Sequence, residues 1–218
     1  MKTYHVKRAQ GQYEPGHPEN GFWQEAEIAD VNTYPWYKSG DKWQAFAQLL
    51  YDRERLYFRM VSQDRHIRGI YTRLNEPVYK DSCGELFLLP GTDPAIGYFN
   101  YEINCVGTLL MGYGKERKGR IYVGPELAGR VAIWHFIPGP IKQESPDDSH
   151  WEIEAVIPLA IMHALADFPN PGPGTEWRGN FYRCGDDTSN PQWSVWNPIE
   201  TPQPDYHRPE FFGRLIFM

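Results

Sequence analysis

A chain of 218 residues with 41% apolar and 23% charged residues can bury one substantial core. Its net charge of -6 removes the electrostatic drive toward nucleic acid or an anionic membrane. The 8 Trp, 14 Tyr and 11 Phe, set beside 19 Pro and 20 Gly, favour strands and stacking surfaces joined by long loops.

The opening stretch, MKTYHVKRAQGQYEP, has no apolar run of the kind a signal peptide needs, and no later stretch is apolar enough to span a bilayer. The expected compartment is cytoplasmic as written, or extracellular or periplasmic if a leader has been trimmed. Residues 42–64, KWQAFAQLLYDRERLYFRMVSQD, contain two strand-like runs joined at Asp52–Arg55, which predicts a hairpin. In its second run Leu56, Phe58 and Met60 share one face, opposite Tyr57, Arg59 and Val61. GELFLLP (84–90) is a short apolar run stopped by proline and reads as a central strand. YFNYEINC (98–105) alternates: Phe99, Tyr101, Ile103 and Cys105 oppose Tyr98, Asn100, Glu102 and Asn104. GYGKERKG (112–119) lacks the spacing of a phosphate loop and reads as a basic hairpin tip.

Further strands are expected at 119–123, 130–137, 151–157, 178–184 and 212–217. Only PLAIMHALADF (158–168) reads as a helix, near 158–167, with proline at its start and Leu159, Ile161, Met162 and Leu165 at helical spacing. DFPNPGPGTEW then breaks it. The fold expected is all-β: one β-sandwich over residues 1–218, jelly-roll-like and immunoglobulin-like in appearance, with that one short helix.

Three cysteines, Cys83, Cys105 and Cys184, with no CxxC pair, argue against both a disulfide framework and a zinc site. Cys83 and Cys105 sit in strand-like runs and read as small buried hydrophobes. The doublets Asp147-Asp148 and Asp186-Asp187 lie in loops, where turn formation and capping compete with a structural calcium. Glu152 and Glu154 in WEIEAVIP share a strand face. Paired carboxylates can hydrolyse glycosides, but they must flank a substrate rather than merely share a strand. The seven histidines form no HExxH pattern, and no GxSxG elbow is present.

Recognition of sugars needs flat amphipathic rings for the C–H faces and amide or charged side chains for the hydroxyls. Both occur together here: Tyr98/Asn100/Glu102/Asn104 on one strand face, Asn180/Tyr182/Arg183 on another, and Trp193/Trp196 in NPQWSVWNP (190–198).

The order of segments resembles the family 9 carbohydrate-binding modules, often appended to xylanases and other polysaccharide-degrading enzymes. The matching pieces are WQEAEIADV (23–31), AFAQLLYDRERLYFRMVSQD (45–64), VYKDSCGELFLLP (78–90), YFNYEINCVGTLL (98–110), WEIEAVIPL (151–159), WRGNFYRCGD (177–186) and HRPEFFGRLIF (207–217). The resemblance implies a jelly-roll-like sandwich that binds sugars without cleaving them, through two clamping rings plus polar side chains, with calcium stabilising the fold. Carried onto this sequence, it implies Tyr79 as one clamp ring, in place of a larger Trp, and Glu85 as its acidic partner. Asn100, Glu102 and Asn104 would lie on the polar strand face, with Asn180 and Arg183 beside it. Trp193 would be the second clamp ring, with Trp196 in reserve and more suited to packing.

The reading is therefore a non-catalytic carbohydrate-binding protein with a mono- or oligosaccharide ligand, no nucleic-acid or membrane partner and no required cofactor, a structural calcium being the one candidate metal. Two alternatives stay open: a glycoside hydrolase using Glu152 or Glu154 with a carboxylate such as Glu102, and a β-sandwich whose exposed rings pack on a protein partner.

Overall fold

The computed structural model describes residues 1–11, 13–17 and 20–218; Gln12, Pro18 and Glu19 lie outside this description. Its strands are β1 (Thr3–Arg8), β2 (Ala29–Asp30), β3 (Ala45–Tyr51), β4 (Arg55–Gln63), β5 (Cys83–Leu89), β6 (Tyr98–Asn104), β7 (Leu109–Gly114) and β8 (Ile121–Tyr122). There follow β9 (Ala132–His135), β10 (His150–Pro158), β11 (Glu176–Cys184), β12 (Ser194–Val195) and β13 (Gly213–Phe217). The helices are short: α1 (Pro125–Ala128) and α2 (Leu159–His163).

One leaf runs β8-β7-β6-β5-β11-β13 and the other β3-β4-β10-β9. The first strand joins them. Thr3–Val6 of β1 pair in parallel with β13, and Lys7–Arg8 pair in parallel with β3, so the sheet curls over into a β-sandwich. β12 and β2 add short ladders to β11 and β3. Alternation along each strand sends one set of side chains between the leaves. Leu49, Phe58, Met60, Leu86, Leu88, Phe99, Tyr101, Ile103, Trp151, Ile153, Trp177 and Phe181 meet there as the main core.

The hairpin expected over 42–64 forms as β3–β4. Asp52 accepts the amides of Glu54 and Arg55 at 2.8 Å each, which tightens the turn. The expected helix contracts to α2, because Pro158 completes β10 and the chain after His163 turns rather than continues. Five residues suffice to bury Leu159, Ile161 and Met162. β1 and β7 carry no strong periodic signal in the sequence. Tyr4 and Val6 are the only buried residues of TYHVKR, yet this strand links the two leaves.

The outer faces of the leaves differ from ordinary solvated sheet. β5 and β6 are buried on both sides throughout. Loops carrying Trp36, Val78, Ile199, Tyr206 and Phe212 cover Cys83, Phe87, Leu89, Tyr98, Leu110, Tyr182 and Cys184. On the other leaf, Phe22, Trp23 and Ala26 cover Leu50 and Tyr57.

Candidate functional site

The loops over the first leaf leave an opening, a cavity of about 190 Å³ floored by Glu85, Asn100, Glu102, Leu110 and Cys184. The strand register builds that floor. Glu85 of β5 lies directly opposite Glu102 of β6, and Phe87 opposite Asn100. Leu110 and Gly112 of β7 lie opposite Glu102 and Asn100. Two carboxylates thus occupy neighbouring outward positions, where like charges repel.

The electrostatics follow from burial. Desolvation pushes the Glu102 carboxyl up to about 7, although the Asn100 amide, 2.8 Å away, and Arg120 both favour its ionised form. Glu85 is raised well above the usual carboxylate range, first by desolvation and then by the neighbouring Cys184, whose thiol donates to its Oε1 at 2.8 Å, and by Glu102. Glu85 holds its proton more strongly than an exposed glutamate would.

Aromatic rings stand on the walls. Tyr79, on the short turn Val78–Lys80, is 36% exposed. Trp193 is half-buried and donates its indole N–H to Asp186 Oδ1 at 2.7 Å. Asp186 also donates its amide to the Tyr79 carbonyl at 3.1 Å. One aspartate therefore holds both walls, and burial raises its carboxyl despite the bond from Trp193.

The β7–β8 hairpin supplies the cations. Arg120 lies 4.2 Å from the centre of the Tyr98 ring and hydrogen-bonds both the Tyr98 carbonyl and Asn100 Oδ1. Asn100 is thereby oriented, with its oxygen toward Arg120 and its amide toward Glu102. This approach needs glycine at 112: a Cβ there would come 2.6 Å from Asn100 Oδ1. Arg117 reaches Asp205 at 3.4 Å across the rim. His207 is within 2.9 Å of the Tyr98 hydroxyl, and desolvation lowers its ring to about 3, so it is neutral at ordinary pH.

Of the residues expected at a site, Tyr79, Glu85, Asn100, Glu102 and Trp193 line this cavity. Asn104, Asn180, Arg183 and Trp196 stand outside it, each committed to the fold. Asn104 donates to Tyr71 O and Asp81 Oδ2 and accepts from the Thr108 amide, fastening the turn after β6. Asn180 exchanges bonds with the backbone of Asn197, tying β11 to the loop that follows it. Arg183 pairs with buried Asp64, which also accepts from the Trp151 indole and Ser82.

Trp196 packs edge-on to Tyr4 and Phe181, and a Cβ at Gly213 would fall 2.3 Å from its ring. Between the two rings of NPQWSVWNP, Trp193 is the one beside the cavity.

The sequence reading did not reach Arg117, Arg120, Tyr122, Asp205, Tyr206 or His207, all of which also line the cavity. The basic hairpin tip 112–119 was a signal for Arg117, and Arg120 follows directly after it; the loop residues had none. Cys83 and Cys105 are buried, as expected of them.

The carboxylate pair of the other leaf is occupied. Glu152 bonds Arg59 at 2.7 Å. Glu154 accepts from the Trp23 indole, the Tyr13 hydroxyl and the Gly16 amide. Three of the four doublet aspartates already have a carboxylate oxygen engaged within the fold. Asp148 Oδ2 accepts the amides of Ile67 and Ser145, Asp186 accepts from Trp193, and Asp187 pairs with Lys80.

Comparison with known proteins agrees with this architecture. A crystal structure of a candidate carbohydrate-binding protein from Bacteroides uniformis ATCC 8492 is similar with a TM-score of 0.89 and 26% identity, covering 100% of this chain and 99% of that one. A carbohydrate binding module family 9 from Caldicellulosiruptor kristjanssonii, in complex with glucose, superposes with a TM-score of 0.63 at 15% identity, covering 100% and 96% of the two chains. Its complex with cellotriose gives 0.64 at 15% identity, covering 99% and 93%. These last two show likeness of fold. No protein of curated function matches the chain. The sequence model of carbohydrate-binding family 9 matches residues 22–217, and the chain belongs to that family.

Proposed function

We propose that this protein binds a neutral mono- or oligosaccharide in the cavity over β5 and β6, without cleaving it. The observation that carries the reading is the joining of Tyr79 and Trp193, through Asp186, above a floor of Asn100, Glu85 and Glu102. A sugar ring against Trp193 or Tyr79 would place its hydroxyls toward that floor and toward Arg120. Drug-sized ligands fill pockets of about 300–1,000 Å³, so a cavity of about 190 Å³ suits one pyranose ring, with any further units projecting outward.

Four carboxylic residues, Glu85, Glu102, Asp186 and Asp205, face two guanidinium groups, Arg117 and Arg120. With Glu85 protonated and Glu102 raised to about 7, those charges come close to cancelling, so the cavity has no surplus positive charge to select an anionic sugar. Family membership and the sugar complexes of the family 9 module support the same ligand class.

Against hydrolysis stands the arrangement of the carboxylates. Glu85 and Glu102 share one floor rather than flanking a bond, and Glu152 and Glu154 are bound up with Arg59, Trp23 and Tyr13. Titration with neutral, acidic and amino sugars, followed by tryptophan fluorescence, tests the binding. A saturable change with neutral sugars and no release of reducing ends is expected. Absence of any response, or hydrolysis abolished by Glu102→Gln, would overturn the reading.

A further inference from the structure

At the end of the cavity floor the strand register assembles a group of which sugar recognition uses only Glu85. Cys83 of β5 and Cys184 of β11 are direct cross-strand partners, and Glu85 is the next residue on the same face of β5. The two sulfurs and a Glu85 carboxylate oxygen all lie within 4.8 Å of one another, and all three residues are buried. The charged groups that act most strongly on Glu85 are Cys184, Glu102 and Asp186, every one acidic, while Arg183, the basic group that acts on Cys184, is itself paired with Asp64. A buried carboxyl beside two thiols must either keep its proton or exchange it for a cation.

We propose that Cys83, Cys184 and Glu85 form a site for a thiophilic divalent cation of the zinc type, with its fourth coordination position facing the cavity. Two thiolates and a carboxylate are a borderline-soft donor set that suits zinc and disfavours calcium or magnesium. A tetrahedral zinc bound at about 2.0–2.3 Å sets its donors roughly 3.3–3.8 Å apart. The present arrangement, with Cys184 Sγ 2.8 Å from Glu85 Oε1, reaches that spacing by side-chain adjustment.

The ion has a route, because Glu85 and Cys184 line the cavity while Cys83 lies behind them. Binding replaces three protons, two from thiols and one from the carboxyl, so the neutral trio becomes a complex of net charge -1. Neither the wide sequence separation of Cys83 and Cys184 nor the absence of a CxxC pair reveals the trio, since only the β5–β11 register brings the sulfurs together. The site goes beyond the sugar reading and is tested without sugar.

The full chain, kept reduced with a phosphine, is titrated with Co²⁺ as a spectroscopic probe and then with Zn²⁺. The expected result is one equivalent of Co²⁺ with thiolate-to-metal charge-transfer bands, displaced by Zn²⁺. Cys83→Ser should remove the bands. Glu85→Gln should keep them while weakening affinity at least about tenfold. Cys105→Ser should leave them unchanged, since Cys105 belongs to the core between the leaves. Circular dichroism establishes that each variant is folded. If Cys83→Ser fails to fold, Glu85→Gln decides alone. Absence of charge-transfer bands in the folded wild type, bands that survive Cys83→Ser, or affinity unmoved by Glu85→Gln would overturn the proposal.

Discussion

The two leaves each carry a pair of glutamates on the outer face, and the pairs have opposite fates. Glu152 and Glu154 on β10 lie under a covering of rings, with Arg59 between them and the cover supplying donors from Trp23, Tyr13 and Gly16. Glu85 and Glu102 on β5 and β6 have an amide, a thiol and an opening. The comparison teaches that the residue pair does not define a site; the partners do. A buried carboxylate whose acceptor positions are filled by its own chain holds the fold together. One left with unused acceptor capacity beside a cavity can serve a ligand, at the cost of a raised pKa.

The sharpest way to break this comparison is to empty the filled pair. Glu154→Ala leaves the Trp23 indole, the Tyr13 hydroxyl and the Gly16 amide without their acceptor and should cost about 3–5 kcal/mol in urea unfolding. The surviving folded protein should bind sugar normally. Trp196→Ala, which opens a hole between Tyr4 and Phe181, should also cost about 3–5 kcal/mol by the same measurement. Trp193→Ala should do the reverse, with a melting temperature close to wild type. Its sugar affinity should fall by about 1.5–3 kcal/mol, roughly 10- to 150-fold.

The smallest effect concerns His207. Its folded-state pKa of about 3 lies below the ordinary value of 6.5, so the unfolded chain takes up the proton first as pH falls. The associated stability is complete above pH 6.5 and is lost progressively toward pH 3. Glu102, raised to about 7, acts with opposite sign between its ordinary value of 4.5 and 7. The informative quantity is therefore the difference between wild type and His207→Gln. That difference should shrink by up to about 2 kcal/mol between pH 6.5 and 5.

Much of the site's first leaf was legible from alternation. YFNYEINC placed Asn100 and Glu102 on one face, and DRER placed the β3–β4 turn, because local periodicity dictates both. Long-range pairing was not legible. Asn104 and Asn180 look as polar as Asn100, but the loops that meet them consume their hydrogen bonds. Arg183 sits on the inward side of β11 because Asp64 neutralises it there, a contact 119 residues apart in sequence. Asp205 and His207 reach the cavity only through the fold of the loop before β13. For the same reason NPQWSVWNP left its two rings unresolved until Gly213 and Asp186 supplied a partner for each.

Calorimetric titration of wild type and Trp193→Ala with glucose and cellotriose tests the central claim most directly. The account predicts one saturable site per wild-type chain for a neutral sugar, with affinity reduced at least about tenfold in the folded Trp193→Ala variant. An isotherm identical in the two proteins, or no binding of any neutral sugar by the wild type, would contradict it.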